Sequence, residues 1–225
     1  MQTEAVWRAL PRKIREVLAE KDLHDLQEIR LRSGQPLLLK RENRLFSLGK
    51  EGVFLPAADE KGMRISMADL RETVSLLSGY SLYAFEEELR QGYLTIEGGH
   101  RVGFCGKAVL ENGEIRTLRQ INALNIRIAR ERKGWGETLL PLLLEKNTLC
   151  HTLLVSPPGC GKTTLLRDLI RCLSERGKTV GVVDERGEIA PLRDGMPQMD
   201  VGPCTDILEG CPKAKGMTLL LRSMS

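Results

Sequence analysis

The stretch that most constrains this chain is Leu153–Glu188, LLVSPPGCGKTTLLRDLIRCLSERGKTVGVVDERGE. At its centre Pro158-Gly159-Cys160-Gly161-Lys162-Thr163-Thr164 lies close to the P-loop pattern G-x-x-x-x-G-K-[ST], with Ser156 where the first glycine would stand. The flanks supply the context that the pattern needs. Thr152–Val155 is a short apolar run that predicts a buried strand. Thr163–Arg176 carries Leu165, Leu166, Leu169, Ile170 and Leu173 at helical spacing, and Gly177 stands where a helix ends in a left-handed residue. Val180–Val183 predicts a second buried strand ending at Asp184-Glu185. Strand, loop, helix and strand in that order predict an α/β nucleotide fold.

The residue types fit phosphate chemistry. A helix N-terminus offers unpaired N–H groups and a partial positive charge to an anion. Gly159 and Gly161 let the backbone curl around it without a Cβ. Lys162 would reach the β- and γ-phosphates, and the Thr163 hydroxyl would face Mg²⁺. ATP with Mg²⁺ is therefore the expected ligand, held by Pro158, Gly159, Cys160, Gly161, Lys162, Thr163 and Thr164. The bland alternative is a glycine-rich turn that binds nothing.

Composition narrows the rest. A chain of 225 residues holds one large or two small domains. A hydrophobic fraction of 41% with 28% charged residues is that of a globular protein, and 4% aromatics predict a core of Leu, Ile and Val. The net charge of +4 permits contact with nucleic acid but does not argue for it. No apolar run approaches the ~20 residues of a membrane span, and the N-terminus lacks the apolar stretch of a secretory signal. The six cysteines form no C-x-x-C pair and read as reduced thiols. His24, His100 and His151 are scattered and read as structural.

Ahead of the P-loop the pattern changes. Ala5–Glu20 predicts a helix, weakened by Pro11. Gln27–Lys40 reads as a hairpin turning at Ser33–Pro36, with a further strand at Leu45–Leu48. Ser66 is a good N-cap for a helix over Met67–Leu77, with Asp69 three residues on. Leu82–Arg90 reads as another helix, carrying the acidic run Glu86-Glu87-Glu88. Strands are expected at Tyr93–Glu97, His100–Leu110 and Ile121–Ala129, and arginines 101, 116, 119, 127 and 130 gather there. Lys133–Gly136 reads as a linker, Leu139–Lys146 as a short helix, the stretch from Arg186 to Gly216 as loop, and Met217–Leu221 as a helix. The expected division is an N-terminal α+β domain over residues 1–133 and a P-loop ATPase domain over 134–225.

Taken with EIRLRSGQPLLL (Glu28–Leu39), GGHRVGFCGKAV (Gly98–Val109), VVDERGEIA (Val182–Ala190) and TLLLRSMS (Thr218–Ser225), the chain resembles the secretion superfamily of AAA-type ATPases, in its sporulation branch. That superfamily also holds the type II/IV secretion and pilus-retraction ATPases. The resemblance implies a RecA-like P-loop domain, incomplete at its C-terminal end, behind the α+β domain. It makes Asp184, Glu185 and Glu188 an acidic box, one member of which polarises the attacking water. It implies that Arg119, Arg116 or Arg101 reaches the nucleotide of a neighbouring subunit in a homo-oligomeric ring, a hexamer. It places the protein in the cytoplasm, held peripherally at the membrane by channel complex proteins between mother cell and forespore. The family's Walker B strand, an apolar run ending in Asp-Glu, comes later, after a further helix; Val180–Glu185 has that look but is the very next strand after the P-loop helix, so the natural chain is expected to continue past Ser225. Rival readings are a nucleic-acid-binding P-loop ATPase, disfavoured by the scarcity of aromatic residues for stacking, a small P-loop kinase, and a nucleotide-binding scaffold without hydrolysis.

Overall fold

The computed structural model describes residues 4–19, 24–49, 51–57, 59–79, 89–90, 92–146, 148–157 and 160–224. The chain divides into two compact units, Met1–Ala129 and Arg130–Ser225.

The first unit is built on a seven-stranded antiparallel sheet. Its strands are β1 (Leu26–Arg32), β2 (Leu38–Arg41), β3 (Arg44–Leu48), β4 (Phe54–Pro56), β5 (Tyr93–Ile96), β6 (His100–Glu111) and β7 (Glu114–Arg127), in the order β4-β3-β2-β1-β7-β6-β5. The register follows from alternation, because side chains on a strand change face at every residue. Leu39, Ile29, Ile126, Val102 and Leu94 stand opposite one another across five strands and are all buried. This row meets apolar residues of α1 (Glu4–Arg8), α2 (Arg12–Ala19) and α3 (Met67–Leu77) in one core that includes Val6, Leu10, Ile14 and Leu70. Each such fully buried side chain contributes about 1.5–3 kcal/mol. At the start of α3 the Ser66 hydroxyl accepts from Asp69 N–H at 3.2 Å, and the Asp69 carboxylate accepts from Ser66 N–H at 2.7 Å. This capping box satisfies two N–H groups at once.

Several expectations are corrected in this unit. The single helix over Ala5–Glu20 is two helices, with Ala9-Leu10-Pro11 between them. Proline lacks the N–H that a continuous helix would need there. The strand expected from Ile121 begins at Glu114, so β6 and β7 form one long hairpin. Its outer half is exposed, and the alternation that marks a half-buried strand is missing from the sequence there. Gly106 opposes three residues, 120–122, and a Cβ on it would lie 2.6 Å from the Arg119 carbonyl oxygen. Gln120 takes a left-handed φ of 49° at the same bulge. The strand β4 was not expected. The helix proposed for Leu82–Arg90 lies outside the described residues except for 89 and 90.

The second unit is α/β. Helix α4 (Trp135–Leu143) is followed by a small hairpin, β8 (Leu144–Glu145) and β9 (Thr148–Leu149). Helix α5 (Lys162–Glu175), β10 (Val180–Asp184), another short hairpin of β11 (Leu192–Arg193) and β12 (Met196–Pro197), β13 (Thr205–Glu209) and α6 (Lys213–Ser223) complete it. Strands β10 and β13 run parallel, with Val182 opposite Ile207. Beneath them Ile170, Val182, Ala190 and Val201 form a buried cluster, and Leu140 packs on Leu169 and Cys172 in another. Helix α5 ends as its sequence predicts: Gly177 has a φ of +75°, and Lys178 N–H and Gly177 N–H return to Leu173 O and Ser174 O.

Three corrections fall here. Thr152–Val155 is not a strand, and Leu153 and Val155 are 85% and 82% exposed. A strand exists only where its N–H and C=O groups find a partner, and β10 and β13 pair with each other instead. Thr205–Glu209, expected as loop, is a strand held by pairing to β10. Helices α4 and α6 both begin four residues before their expected starts at Leu139 and Met217, so Trp135 and Gly136 belong to a helix rather than to a linker.

Candidate functional site

The N-terminus of α5 is open. Its cap residue Gly161 has a left-handed φ of +83° and no side-chain cap. The first helical hydrogen bond runs from Leu165 N–H to Gly161 O at 2.9 Å, so helix geometry leaves the N–H groups before Leu165 without intrahelical acceptors. Lys162 turns back over the loop. Its Nζ donates to Ser156 O at 2.6 Å, to Pro157 O at 2.9 Å and to Ser156 Oγ at 3.3 Å. The hydroxyl at Ser156, where the family pattern has a glycine, is thus one of the ammonium's partners. Thr163 and Thr164 are half-buried on the first turn, and Cys160 is exposed. Pro158 and Gly159 lie outside the described residues. A helix end with unused N–H donors, an ammonium held over the loop and a hydroxyl beside them is a donor set that suits a phosphate chain with a divalent cation.

Helix α5 is fixed from behind by α4. Gly136 N–H donates to the Asp168 carboxylate at 2.7 Å, and Arg171 donates to Asp168 at 2.8 Å, Glu137 at 2.9 Å and Glu175 at 2.7 Å. The Asp168 and Arg171 side chains are 2% and 6% exposed. Burial works against both charges. It is outweighed for Asp168 by the Gly136 N–H and Arg171, which hold the carboxyl below its ordinary range. It is outweighed for Arg171 by hydrogen bonds to Glu137, Asp168 and Glu175, which hold the guanidinium above its own. Gly136 has no room for a side chain, since a Cβ would lie 2.7 Å from the Asp168 carbonyl. Gly136→Ala is expected to lower stability by about 1–3 kcal/mol through this clash, measured as a shift of the urea midpoint.

The acidic residues take different positions. Asp184 is buried at the end of β10 and accepts N–H bonds from Glu188 at 2.9 Å, Ile189 at 2.8 Å and Ala190 at 2.9 Å. Glu185 pairs with Lys213 at 3.1 Å, and Glu188 is exposed. Two residues that sequence reasoning missed complete this loop. Glu209, opposite Asp184 in the register, accepts Leu192 N–H at 3.0 Å. Burial, together with the Asp184 charge, pushes the Glu209 carboxyl up. Arg167 of α5 donates to Glu188 O at 2.7 Å and to Ile189 O. The one signal for Arg167 is a charged pair, Arg167-Asp168, between the apolar residues Leu166 and Leu169.

The three arginines singled out in the first unit have separate surroundings. Arg101 stacks on Tyr93, 3.4 Å from the ring centroid. Arg116 pairs with Glu111 at 3.2 Å. Arg119 lies at the Gly106 bulge and lines a cavity of about 850 Å³ with Met67, Leu70 and Val74. Among the described residues, no helix is long and apolar enough to cross a membrane.

Comparison with known proteins adds four findings. The pilus retraction motor PilT, solved with bound ADP, matches 95% of this chain and 57% of its own at a TM-score of 0.50 and 16% identity. That likeness shows the fold alone, a RecA-like one. The Legionella pneumophila ATPase DotB matches 96% of this chain and 58% of its own, with a TM-score of 0.46 and 17% identity. The chain thus spans under three fifths of each of these two solved structures. Stage III sporulation protein AA of Bacillus subtilis (strain 168) is 42% identical across 96% of this chain and 68% of the relative. Residues 1–225 match the family described as sporulation stage III, protein AA, and the chain belongs to that family.

Proposed function

We propose that this sporulation protein binds ATP with Mg²⁺ at the N-terminus of α5 and hydrolyses it as a subunit of a homo-oligomeric ring, a hexamer. The cycle would energise a membrane-associated channel complex between mother cell and forespore, from the cytoplasmic side and through partner proteins. One observation carries the reading: Lys162 is held over Ser156 and Pro157 at an uncapped helix N-terminus. An ammonium in that place neutralises phosphate charge, and the open N–H groups orient the same anion. PilT, which shares the fold, was solved with ADP.

The roles follow from placement. Residues 158–164 would enclose the phosphates, with Lys162 on the outer ones. The Thr163 hydroxyl would hold Mg²⁺, whose chemistry is to draw charge from the phosphate oxygens. Glu188 and Glu185 would orient the attacking water, and Asp184 would shape the loop that carries them. Arg119, Arg116 or Arg101 would act on a neighbour's nucleotide. Equilibrium binding of ATP to the full-length protein, with and without Mg²⁺, tests the reading. Thr163→Ala is expected to remove the Mg²⁺ dependence and to lower affinity by about tenfold, the low end of the range for one charge-assisted contact. Equal affinity with and without the metal in the natural protein would contradict the assignment of Thr163.

A further inference from the structure

The loop from Gly187 to Leu192 is held through its backbone by three charged side chains from three elements. Asp184, at the end of β10, takes the N–H groups of Glu188, Ile189 and Ala190. Glu209, at the end of β13, takes the N–H of Leu192, and its other oxygen fills the space that a Cβ on Gly187 would need, at 2.3 Å. Arg167, on α5, takes the two carbonyls of Glu188 and Ile189. Carboxylates thus hold the donors of the loop and a guanidinium holds its acceptors. Ala190 is fully buried beneath them, while Glu185 and Glu188 stay on the exposed side.

We infer that Arg167 is a positioning residue that ties the placement of Glu188 to the P-loop helix. It stands five residues after Lys162 on the same helix, roughly 7.5 Å along the axis at 1.5 Å per residue. It is 9% exposed, and burial pulls its pKa below the ordinary value against the attraction of Glu131 and Asp184. A buried guanidinium spent on two main-chain carbonyls, with no carboxylate among the described residues bonded to it directly, is a costly arrangement for a surface loop. It fixes the carbonyl of Glu188 itself, and with it the Cα from which that carboxylate extends. Two successive carbonyls need two donors fixed in one plane, which arginine has and lysine lacks. Movement of α5 when its N-terminus takes up phosphate is therefore passed rigidly to the backbone of Glu188.

This inference rests on the proposal that Glu188 serves ATP hydrolysis at the P-loop. Its test uses the full-length protein, with ADP affinity and steady-state ATP hydrolysis as separate readouts. Arg167→Met is expected to keep ADP affinity within about threefold. Its kcat should fall by about 100-fold, as a displacement on the order of 1 Å at a catalytic group produces. Arg167→Lys should recover only part of that loss, and it carries the test if the methionine variant does not fold. A loss that arises through Glu188 is not additive with loss of Glu188. The double variant Arg167→Met, Glu188→Gln should therefore be no slower than Glu188→Gln alone. A merely structural arginine would lower stability and give losses that multiply. Unchanged kcat in Arg167→Met, full activity in Arg167→Lys, or multiplying losses would each overturn the inference and leave the ATPase reading standing. A wild-type protein that turns over no ATP would overturn the two together, and Glu188→Gln at full activity would remove the residue through which Arg167 is said to act.

Discussion

Lys162→Ala is expected to lower ATP affinity tenfold to a hundredfold and to stop hydrolysis. The side chain donates to two backbone carbonyls and a hydroxyl of the loop, so its ammonium is already held where an anion at the helix end would meet it. A hydrogen bond to a charged group contributes about 1.5–3 kcal/mol, which gives that range. The fold should be unaffected, because the partners Ser156 and Pro157 are solvent-accessible loop residues. Unfolding midpoints of the variant and the natural protein should therefore agree while affinities differ. Cells carrying only the variant should fail to sporulate. Normal sporulation, or ATP binding at the natural affinity, would count against the P-loop as the working site.

Arg171→Met is expected to have the largest effect on stability, a loss of about 3–5 kcal/mol, because it leaves a buried carboxylate without its counter-ion. Asp168 would keep the Gly136 N–H and lose the guanidinium that donates to it at 2.8 Å. Urea unfolding followed by circular dichroism measures this directly. The same pair sets a pH dependence. Asp168 has an ordinary value of 3.8 and is held below it in the folded chain, against its burial, by the Gly136 N–H and Arg171. A depressed carboxyl contributes stability that is fully present above the unfolded value and is lost as pH falls through the folded one. The natural protein should therefore weaken as pH drops below about 4. Asp168→Asn should be less stable at neutral pH and show a flatter acid limb. An unchanged acid limb in that variant would show that other carboxylates control it.

The elements that could be read from sequence are those whose signals are local. Helix α5 begins one residue before the expected start and ends one before the expected end, because its apolar spacing and the Gly177 terminus are properties of the segment itself. The Ser66–Asp69 box and the hairpin between β1 and β2 are local in the same sense. What escaped depends on partners far away in the chain. Thr205–Glu209 is a strand because β10 lies beside it, and Thr152–Val155 is not one because neither β10 nor β13 pairs with it. The outer half of the β6–β7 hairpin has no buried face to impose alternation. At the proposed site, the P-loop pattern is legible by spacing. Arg167 and Glu209 do not, because their partners are main-chain groups of a loop about twenty residues away, and backbone acceptors leave no trace in a sequence.

Trp135 opens α4, and its ring lies 3.5 Å from where a Cβ on Gly161 would sit. The indole is half exposed, and the chain's other tryptophan, Trp7, belongs to the first unit. A fluorophore whose emission follows local polarity is therefore built in beside the P-loop. Occupancy of the proposed nucleotide site is expected to be titratable by intrinsic emission without a label, and Trp7→Phe would leave Trp135 as the single tryptophan of these 225 residues.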